Sequence, residues 1–382
     1  MSTTTVQHIE ISHRHYIHNL ETFRRLLTPG CRLMAVVKSN AYGHGLTLVA
    51  GLAQEAGVDC LGVNSLDEGI TLRHSGITLP IVVLGYIPLE AMTEVIEYHL
   101  EPVLYNRPSL QRLDQEARRR ECRAPFHLKL ETGLHRQGVP AAEFDEFLGL
   151  IHSLPALSLA GVSMHFANIE DTTNHRFARM QIDNFEHLLD RLRARDGKLP
   201  TVHAACSAAA ILFKETHYDM ARIGISSYGL WPSKETYLSA VLREQQPPVL
   251  KPILTWKSCV AQIRAIPTDS HVGYGCTYKA THPMRIAVIP VGYYDGYDRA
   301  LSSRGHVLIR ERRAPVVGRV CMNMIMVDVT HIPEVSLEDE VVLLGTQGEE
   351  TITAEELAEL CHTINYEIVT RIGAHIPRRL GP

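Results

Sequence analysis

Between residues 34 and 229, eight short apolar runs alternate with polar or amphipathic stretches, and few folds accommodate that rhythm. The runs are 34–37, 60–63, 81–84, 102–104, 126–130, 157–164, 201–205 and 220–225. Unbroken apolar runs of this length read as parallel strands buried on both faces. The segments between them carry helical patterns. In 176–192, Phe177, Met180, Phe185, Leu188, Leu189 and Leu192 recur on one face. Eight such strands with seven intervening helices give the βα count of a TIM (β/α)8 barrel, an α/β fold. A doubly wound open sheet competes, but no G-x-G-x-x-G follows the first strand.

The pattern breaks around 232–252, where Pro247 and Pro248 sit in a charged stretch that reads as a link. Beyond it, residues 253–266, 306–310 and 316–329 partly alternate, as strands do, with a turn cluster at 302–305. One helical segment, 353–362, opens on Thr353 with Glu356 three residues later, a capping-box pattern. The expected organisation is a barrel over 1–240 and a mostly β domain over 241–382. The first ~10 residues are free to pair with the second domain.

Composition narrows the function. A net charge of −4 over 382 residues gives no basis for binding nucleic acid or an anionic membrane. The eight cysteines show neither C-x-x-C pairing nor zinc spacing, so no metal is expected and a reducing compartment fits. The N-terminal MSTTTVQHIEIS lacks a basic and an apolar region, and no apolar run approaches ~18 residues. A cytoplasmic location is the expectation.

Chemistry concentrates where the apolar runs end. Residues 32–45 read RLMAVVKSNAYGHG and deliver Lys38 to the end of the first barrel strand. A lysine there either snorkels to water or serves as an amine for a Schiff base with an aldehyde cofactor. Residues 221–229, ARIGISSYG, follow the eighth strand, where barrels often hold a phosphate. Gly224 permits close backbone approach, and Ile225, Ser226 and Ser207 offer donors for one, although a barrel-closing turn explains the segment equally well. Arg222 carries donors only. Set against a pyridine nitrogen it would leave that atom unprotonated, a weak electron sink; paired with Asp219 it would be structural. Lys129 and Arg136 flank a Thr132-Gly133 turn after the fifth strand and suit a carboxylate or phenolate ligand. His165 ends the sixth strand. Polar residues ending several strands of one barrel read together as a site. Tyr274 lies between two glycines in HVGYGCTY (271–278), either a turn tyrosine covering a domain boundary or a reactive phenol. A phenol is a poor base unless cations stand beside it.

The stretch AVVKSNAYGHG resembles the cofactor-lysine motif of the alanine racemases, and the resemblance runs from about residue 8 to the C-terminus. It implies pyridoxal 5′-phosphate as cofactor, held by Lys38. The amides of Gly224 and Ile225 and the hydroxyl of Ser207 would bind its phosphate, with Tyr42 also reaching it. Arg222 would face the ring nitrogen, and Arg136 the ring oxygen and the substrate carboxylate. The counterpart of Lys129 is often carbamylated. His165 would link Arg222 to a catalytic Tyr274, so that Lys38 and Tyr274 act as two bases on opposite faces of the substrate Cα. Tyr293 and Met322, with Asp295, Arg299, Arg319 and Cys321, match the entrance and substrate site. Tyr366 matches the residue that narrows the alanine site beside the phosphate. The implied reaction is interconversion of L- and D-alanine for peptidoglycan. The implied assembly is a head-to-tail homodimer in which Tyr274 completes the partner's site.

The chain departs from the family pattern in places. It reads ETGLHR for DTGMGR, with Glu131 and His135, and Cys321-Met322-Asn323 for CMD. Asn168 and Glu170 stand where a small residue and Asp are usual. These changes leave a serine or broader racemase as an alternative. Barrel-type decarboxylases place an acidic residue at the ring nitrogen and a cysteine in place of Tyr274, and non-catalytic carriers of the cofactor resemble the barrel alone. Arg222, Tyr274 and the second domain argue against both.

Overall fold

The computed structural model describes residues 5–243 and 246–381. Residues 1–4 of the N-terminal stretch, Glu244 and Gln245 of the expected link, and Pro382 lie outside the described residues. The first strands in chain order are β1 (His8–Ser12), β2 (Arg32–Val36), β3 (Cys60–Val63), β4 (Ile81–Val83) and β5 (Glu101–Leu104). They are followed by β6 (Ala124–Lys129), β7 (Leu157–Ser163), β8 (Thr201–His203) and β9 (Met220–Ile223).

Strands β2 to β9 form one parallel sheet in the order β8-β7-β6-β5-β4-β3-β2-β9. Asp219 N–H donates to Val202 O and Arg222 N–H to Ala205 O, and these bonds bring β9 back to β8. The eight-stranded barrel expected from the sequence is therefore the fold. Every residue from Leu33 to Val37 is buried, as are all four of β3, which is why these strands appear in the sequence as unbroken apolar runs.

The long helix Arg176–Asp196 corrects one expectation. Phe185, Leu188, Leu189 and Leu192 face the core, but Phe177 and Met180 are exposed, and Ala178 and Gln181 are buried in their place. The first turns of this helix cover polar loops rather than apolar strands. Gln181 Nε2 donates to Thr132 Oγ1 and to His165 O, and its Oε1 accepts from Ala167 N–H. The stretch expected to be a link also begins as a helix, Lys234–Leu242, with Ser233 Oγ accepting Thr236 N–H at its start.

The chain divides into two compact units. Tyr16–Ala41 and Val49–Lys251 form the barrel unit; the described residues up to His15, Tyr42–Leu48 and those from Pro252 onward form the other. In the second unit β1 lies between Leu254–Cys259, to which it is antiparallel, and Arg378–Gly381, to which it is parallel. These belong to a seven-stranded sheet, beside a three-stranded sheet and a short hairpin, His271–Val272 with Tyr278–Lys279. Thr353 Oγ1 accepts Glu356 N–H at the start of helix Ala354–Cys361, as the capping pattern requires. The alternation over 316–329 yields only the strand Ile325–Asp328 and one isolated bridge at Val316. Gly318, at φ +78°, bends the chain where a Cβ would lie 2.6 Å from Val272 O, so residues 319–324 form a loop.

Candidate active site

Past the end of β2 the backbone leaves ordinary geometry. Ser39, Asn40 and Ala41 follow Lys38 with φ/ψ of 55/53°, 55/44° and 53/51°, and Tyr42 has φ 52°. This is a left-handed turn made of side-chain-bearing residues, each at a cost of roughly 1–2 kcal/mol. Ala41 N–H donates to Val37 O at 2.8 Å. Glu68 braces the turn from the neighbouring loop, its Oε1 accepting Asn40 N–H at 3.1 Å and its Oε2 accepting Asn64 N–H at 2.8 Å. Ser65 Oγ in turn accepts Glu68 N–H at the start of helix Leu66–His74. Glu68 is not among the expected site residues, yet the Ser-Leu-Asp-Glu sequence at 65–68 is the signal of a capping box. The turn fixes the direction in which Lys38 leaves the strand.

Lys38 is half-buried. Burial and the nearby Arg136 hold its amine below the ordinary lysine pKa, against the opposing pull of Glu68 and Glu170. Lys129, the last residue of β6, is shifted further. Burial, then Arg222, Arg136 and Lys38, bring its pKa down to about 7. His165, just past β7, is held well below the ordinary imidazole value by burial and by Arg222. Lys38, Lys129, Arg136 and Arg222 thus gather positive charge at the C-terminal end of the barrel, around a His165 that they help to hold neutral.

Arg222 is buried on β9, and burial lowers even its guanidinium to about 10. It does not pair with Asp219, whose Oδ2 accepts Val202 N–H instead. Its NH1 donates to His203 O and lies 3.0 Å from His203 Nδ1. Its NH2 donates to Met164 O and Ala204 O and lies 3.4 Å from His165 Nδ1. The remaining N–H, on Nε, has no partner among the described residues. Arg136 is exposed in the loop after β6, a loop folded around Glu131. Burial raises the pKa of that carboxyl, but the amides of His135, Gly133 and Leu134 outweigh burial and hold it below the usual range.

Beyond β9, Gly224 N–H and Ser226 N–H both point to Ser207 Oγ, at 3.1 and 3.5 Å. Ser226 Oγ is fully buried and has no hydrogen-bond partner among the described residues. Together with Ile225 this is a pocket of donors suited to an anion. Asn168 Oδ1 is a second buried acceptor without a partner among the described residues. Asn168 lines a cavity of about 500 Å3 with Thr172, Arg176, Phe177 and Met180. The Glu170 carboxylate takes the Cys206 thiol at 3.8 Å.

The other expected residues belong to the second unit. The Tyr42 and Tyr366 rings lie 6.1 Å apart. Gly43 permits this packing, since a Cβ there would lie 2.0 Å from Val369 O. Tyr274 sits in the turn of the short hairpin and is 72% exposed. Its flanking glycines have φ +75° and +72°, and Cβ atoms on them would press on Met326 and on the Arg319 guanidinium. Tyr293 and Met322 are exposed on two loops joined by Tyr293 N–H to Cys321 O and Tyr294 N–H to Met322 O. Asp295 is buried and braces the first of these loops, accepting from Gln7 Nε2 and Gly292 N–H.

Comparison with known proteins agrees across the whole chain. Residues 11–232 match the family described as "Alanine racemase, N-terminal domain", and 253–380 match "Alanine racemase, C-terminal domain". The alanine racemase of Leptospira interrogans serovar Lai is 40% identical over 380 residues, 99% of this chain and 96% of the relative. Among solved structures, the Bacillus anthracis alanine racemase with bound L-Ala-P superposes with a TM-score of 0.92 at 32% identity, covering 100% of this chain and 96% of the other. The Bartonella henselae alanine racemase with covalently bound pyridoxal phosphate gives 0.86 at 25% identity, covering 99% and 100%.

Proposed function

This chain belongs to the alanine racemase family, and from that membership we infer that it interconverts L- and D-alanine with pyridoxal 5′-phosphate as cofactor. The observation that carries the reading is the half-buried Lys38, aimed by a left-handed turn and kept easy to deprotonate by burial and Arg136. The residues present fit the cofactor. Ser226 Oγ is an orphaned buried hydroxyl next to the Gly224 and Ser226 amides, so a phosphate would find donors there. Arg222 has its Nε–H left for a ring nitrogen. When bound, the cofactor supplies the electron sink that makes the substrate Cα–H acidic.

The protein's own groups do the rest. Lys38 Nζ would hold the cofactor's aldehyde carbon and, once released, take or return a proton on one face of Cα; Tyr274 Oη would do so on the other. Arg222, a donor only, would keep the ring nitrogen unprotonated and so limit the sink, which favours prompt return of the proton over amino transfer. Arg136 would receive the substrate carboxylate. His165 accepts from Arg222 at Nδ1, which would leave Nε2–H to donate to Tyr274 Oη. Tyr42, Ser207, Gly224 and Ile225 would hold the phosphate, and Tyr366, Tyr293 and Met322 would bound the space for the side chain. Lys129, with a pKa near neutrality, can take up carbon dioxide: a C–N bond forms, one proton leaves, and the resulting anion would face Arg136.

The exposure of Tyr274, Tyr293, Tyr294, Met322 and Met324 on the second unit is of the kind that interaction surfaces show. It supports a head-to-tail homodimer in which each Tyr274 completes the other subunit's site. The location is the cytoplasm and the product D-alanine, for peptidoglycan. Complementation tests the arrangement. Lys38→Ala and Tyr274→Phe homodimers should both be inactive. In a mixed dimer the Tyr274→Phe chain keeps Lys38 and receives an intact Tyr274, so random re-pairing should restore roughly a quarter of wild-type activity. Confirmed subunit exchange without recovery of activity would mean that Tyr274 acts within its own chain.

A further inference from the structure

Arg222 is tied to a line of side chains that the proposed chemistry does not use. Its NH1 lies 3.0 Å from His203 Nδ1, His203 Nε2 lies 2.9 Å from His127 Nδ1, and His127 Nε2 lies 2.9 Å from Glu101 Oε2. Both histidines are buried, whereas the Glu101 side chain is 25% exposed. Glu101 is the first residue of β5, so the line runs from the floor of the barrel toward the end that carries Lys38.

The two ends of this line have fixed polarity, because a guanidinium only donates and a carboxylate only accepts. One assignment satisfies all three contacts. Arg222 donates to His203 Nδ1, His203 donates from Nε2 to His127 Nδ1, and His127 donates from Nε2 to Glu101. Adding a proton to either ring would set two donors face to face somewhere along the line, so both imidazoles are neutral. The electrostatics agree at His203, where burial and the Arg222 guanidinium hold the ring well below its ordinary pKa.

The backbone is built to admit these rings. The β6–β7 register shifts between Phe126 and His127. On β7, a Cβ at Gly161 would lie 2.0 Å from His127 Nδ1, so only glycine leaves room for that imidazole. Barrel interiors are ordinarily filled by branched apolar side chains. Here a strand irregularity and a glycine make space for a fully paired polar line.

We propose that Glu101, acting through His127 and His203, is a tautomer lock that fixes the orientation of the Arg222 guanidinium. Glu101 keeps the His127 proton on Nε2, His127 thereby accepts from His203, and His203 is left with a bare Nδ1 for Arg222. Without the carboxylate the His127 proton is free to move to Nδ1. His203 then carries its own proton on Nδ1, facing the N–H of Arg222, and the guanidinium is pushed from its place. The three are positioning residues, and their functional effect rests on the reading above that Arg222 faces the cofactor ring.

The test uses holoenzyme labelled with 15N-histidine, with resonances assigned through His127→Asn and His203→Asn. Two-bond proton–nitrogen correlations should show both rings neutral and protonated on Nε2. Glu101→Gln can present either a carbonyl or an amide NH2 to His127, so both rings should become tautomeric mixtures. For alanine, kcat should fall roughly tenfold to a hundredfold, as when a reacting group is misplaced, with KM little changed and amino transfer per turnover increased. Glu101→Asp, if it regains the Nε2–H tautomers, should regain the partition with them. A charged ring, or a proton on His203 Nδ1, in the wild type would overturn the lock outright. Unchanged tautomers and unchanged kcat in Glu101→Gln would remove the carboxylate's role. A wild-type protein without bound cofactor or racemisation defeats the proposed function instead, and the tautomer measurement still decides the lock.

Discussion

Lys129 offers the most quantitative test of the charge arrangement. Its amine falls from 10.5 to about 7 because burial and then Arg222, Arg136 and Lys38 oppose the ammonium. At about 1.4 kcal/mol per unit that is roughly 5 kcal/mol, which screening at a half-buried head group reduces to about 2–4 kcal/mol. The sign follows from proton counting. Below about pH 7 the folded and unfolded chains both carry the proton, and the fold bears the full penalty. Between about 7 and 10.5 the unfolded chain binds a proton that the folded one lacks, so stability rises with pH and the penalty disappears. Lys129→Met removes the group at nearly constant volume. In buffer freed of carbon dioxide, urea unfolding should find the variant more stable by about 2–4 kcal/mol at pH 6, with the difference vanishing toward pH 10. Bicarbonate should then raise the stability of the wild type alone, because carbamylation replaces a strained cation with an anion among cations. Intact mass should show one added carbon dioxide, released in acid. Parallel stability curves for the two proteins across this pH range would refute the reasoning.

Other perturbations address separate parts of the site. Glu68→Ala removes the acceptor of two backbone amides that shape the left-handed turn, and should cost about 1–3 kcal/mol in stability while also slowing formation of the yellow holoenzyme, followed by absorbance. Arg222→Glu should protonate the ring nitrogen, slowing racemisation and increasing amino transfer; an unchanged partition by product analysis would remove Arg222 from the ring. Tyr366→Ala should widen the side-chain space and raise serine turnover relative to alanine by an amount worth roughly 1–3 kcal/mol, read as the ratio of kcat/KM values.

The barrel is legible because its strands are buried on both faces, so each appears as an apolar run, and the polar residue ending a run marks the catalytic end. Lys38 and His165 stand out in that way, and Lys129 and Arg222 as lone cations inside such runs. What stays hidden acts through backbone hydrogen bonds between loops far apart in sequence. Glu68 and Gln181 both hold loop amides in place, and composition or periodicity assigns no partner to either. The turn at 39–42 is hidden for another reason. Left-handed geometry is read from glycine, and here the glycine comes only at 43, after four residues that local preference would place elsewhere. The exposure of Phe177 and Met180 escapes the sequence because a helical stripe does not reveal that its first turns cover polar loops.

Two kinds of cost meet at the ends of β2, β6 and β9, and they behave differently toward a ligand. The left-handed turn is a backbone strain carried by Ser39 to Tyr42 and held by Glu68 and Val37, groups of the protein itself. Nothing in a ligand relieves it, so it aims Lys38 whether or not the cofactor is present. The strain on Lys38 and Lys129 is of another kind: burial and the neighbouring cations oppose their ammonium forms, so loss of a proton or an added anion relieves it. A phosphate-bearing cofactor and a carboxylate-bearing substrate both supply such charge. A ligand that places negative charge there gains binding free energy from these cations, and by linkage its binding stabilises the folded barrel. The strained turn provides precision in the direction of Lys38. The gathered positive charge provides affinity, at a cost in stability to the barrel that carries it.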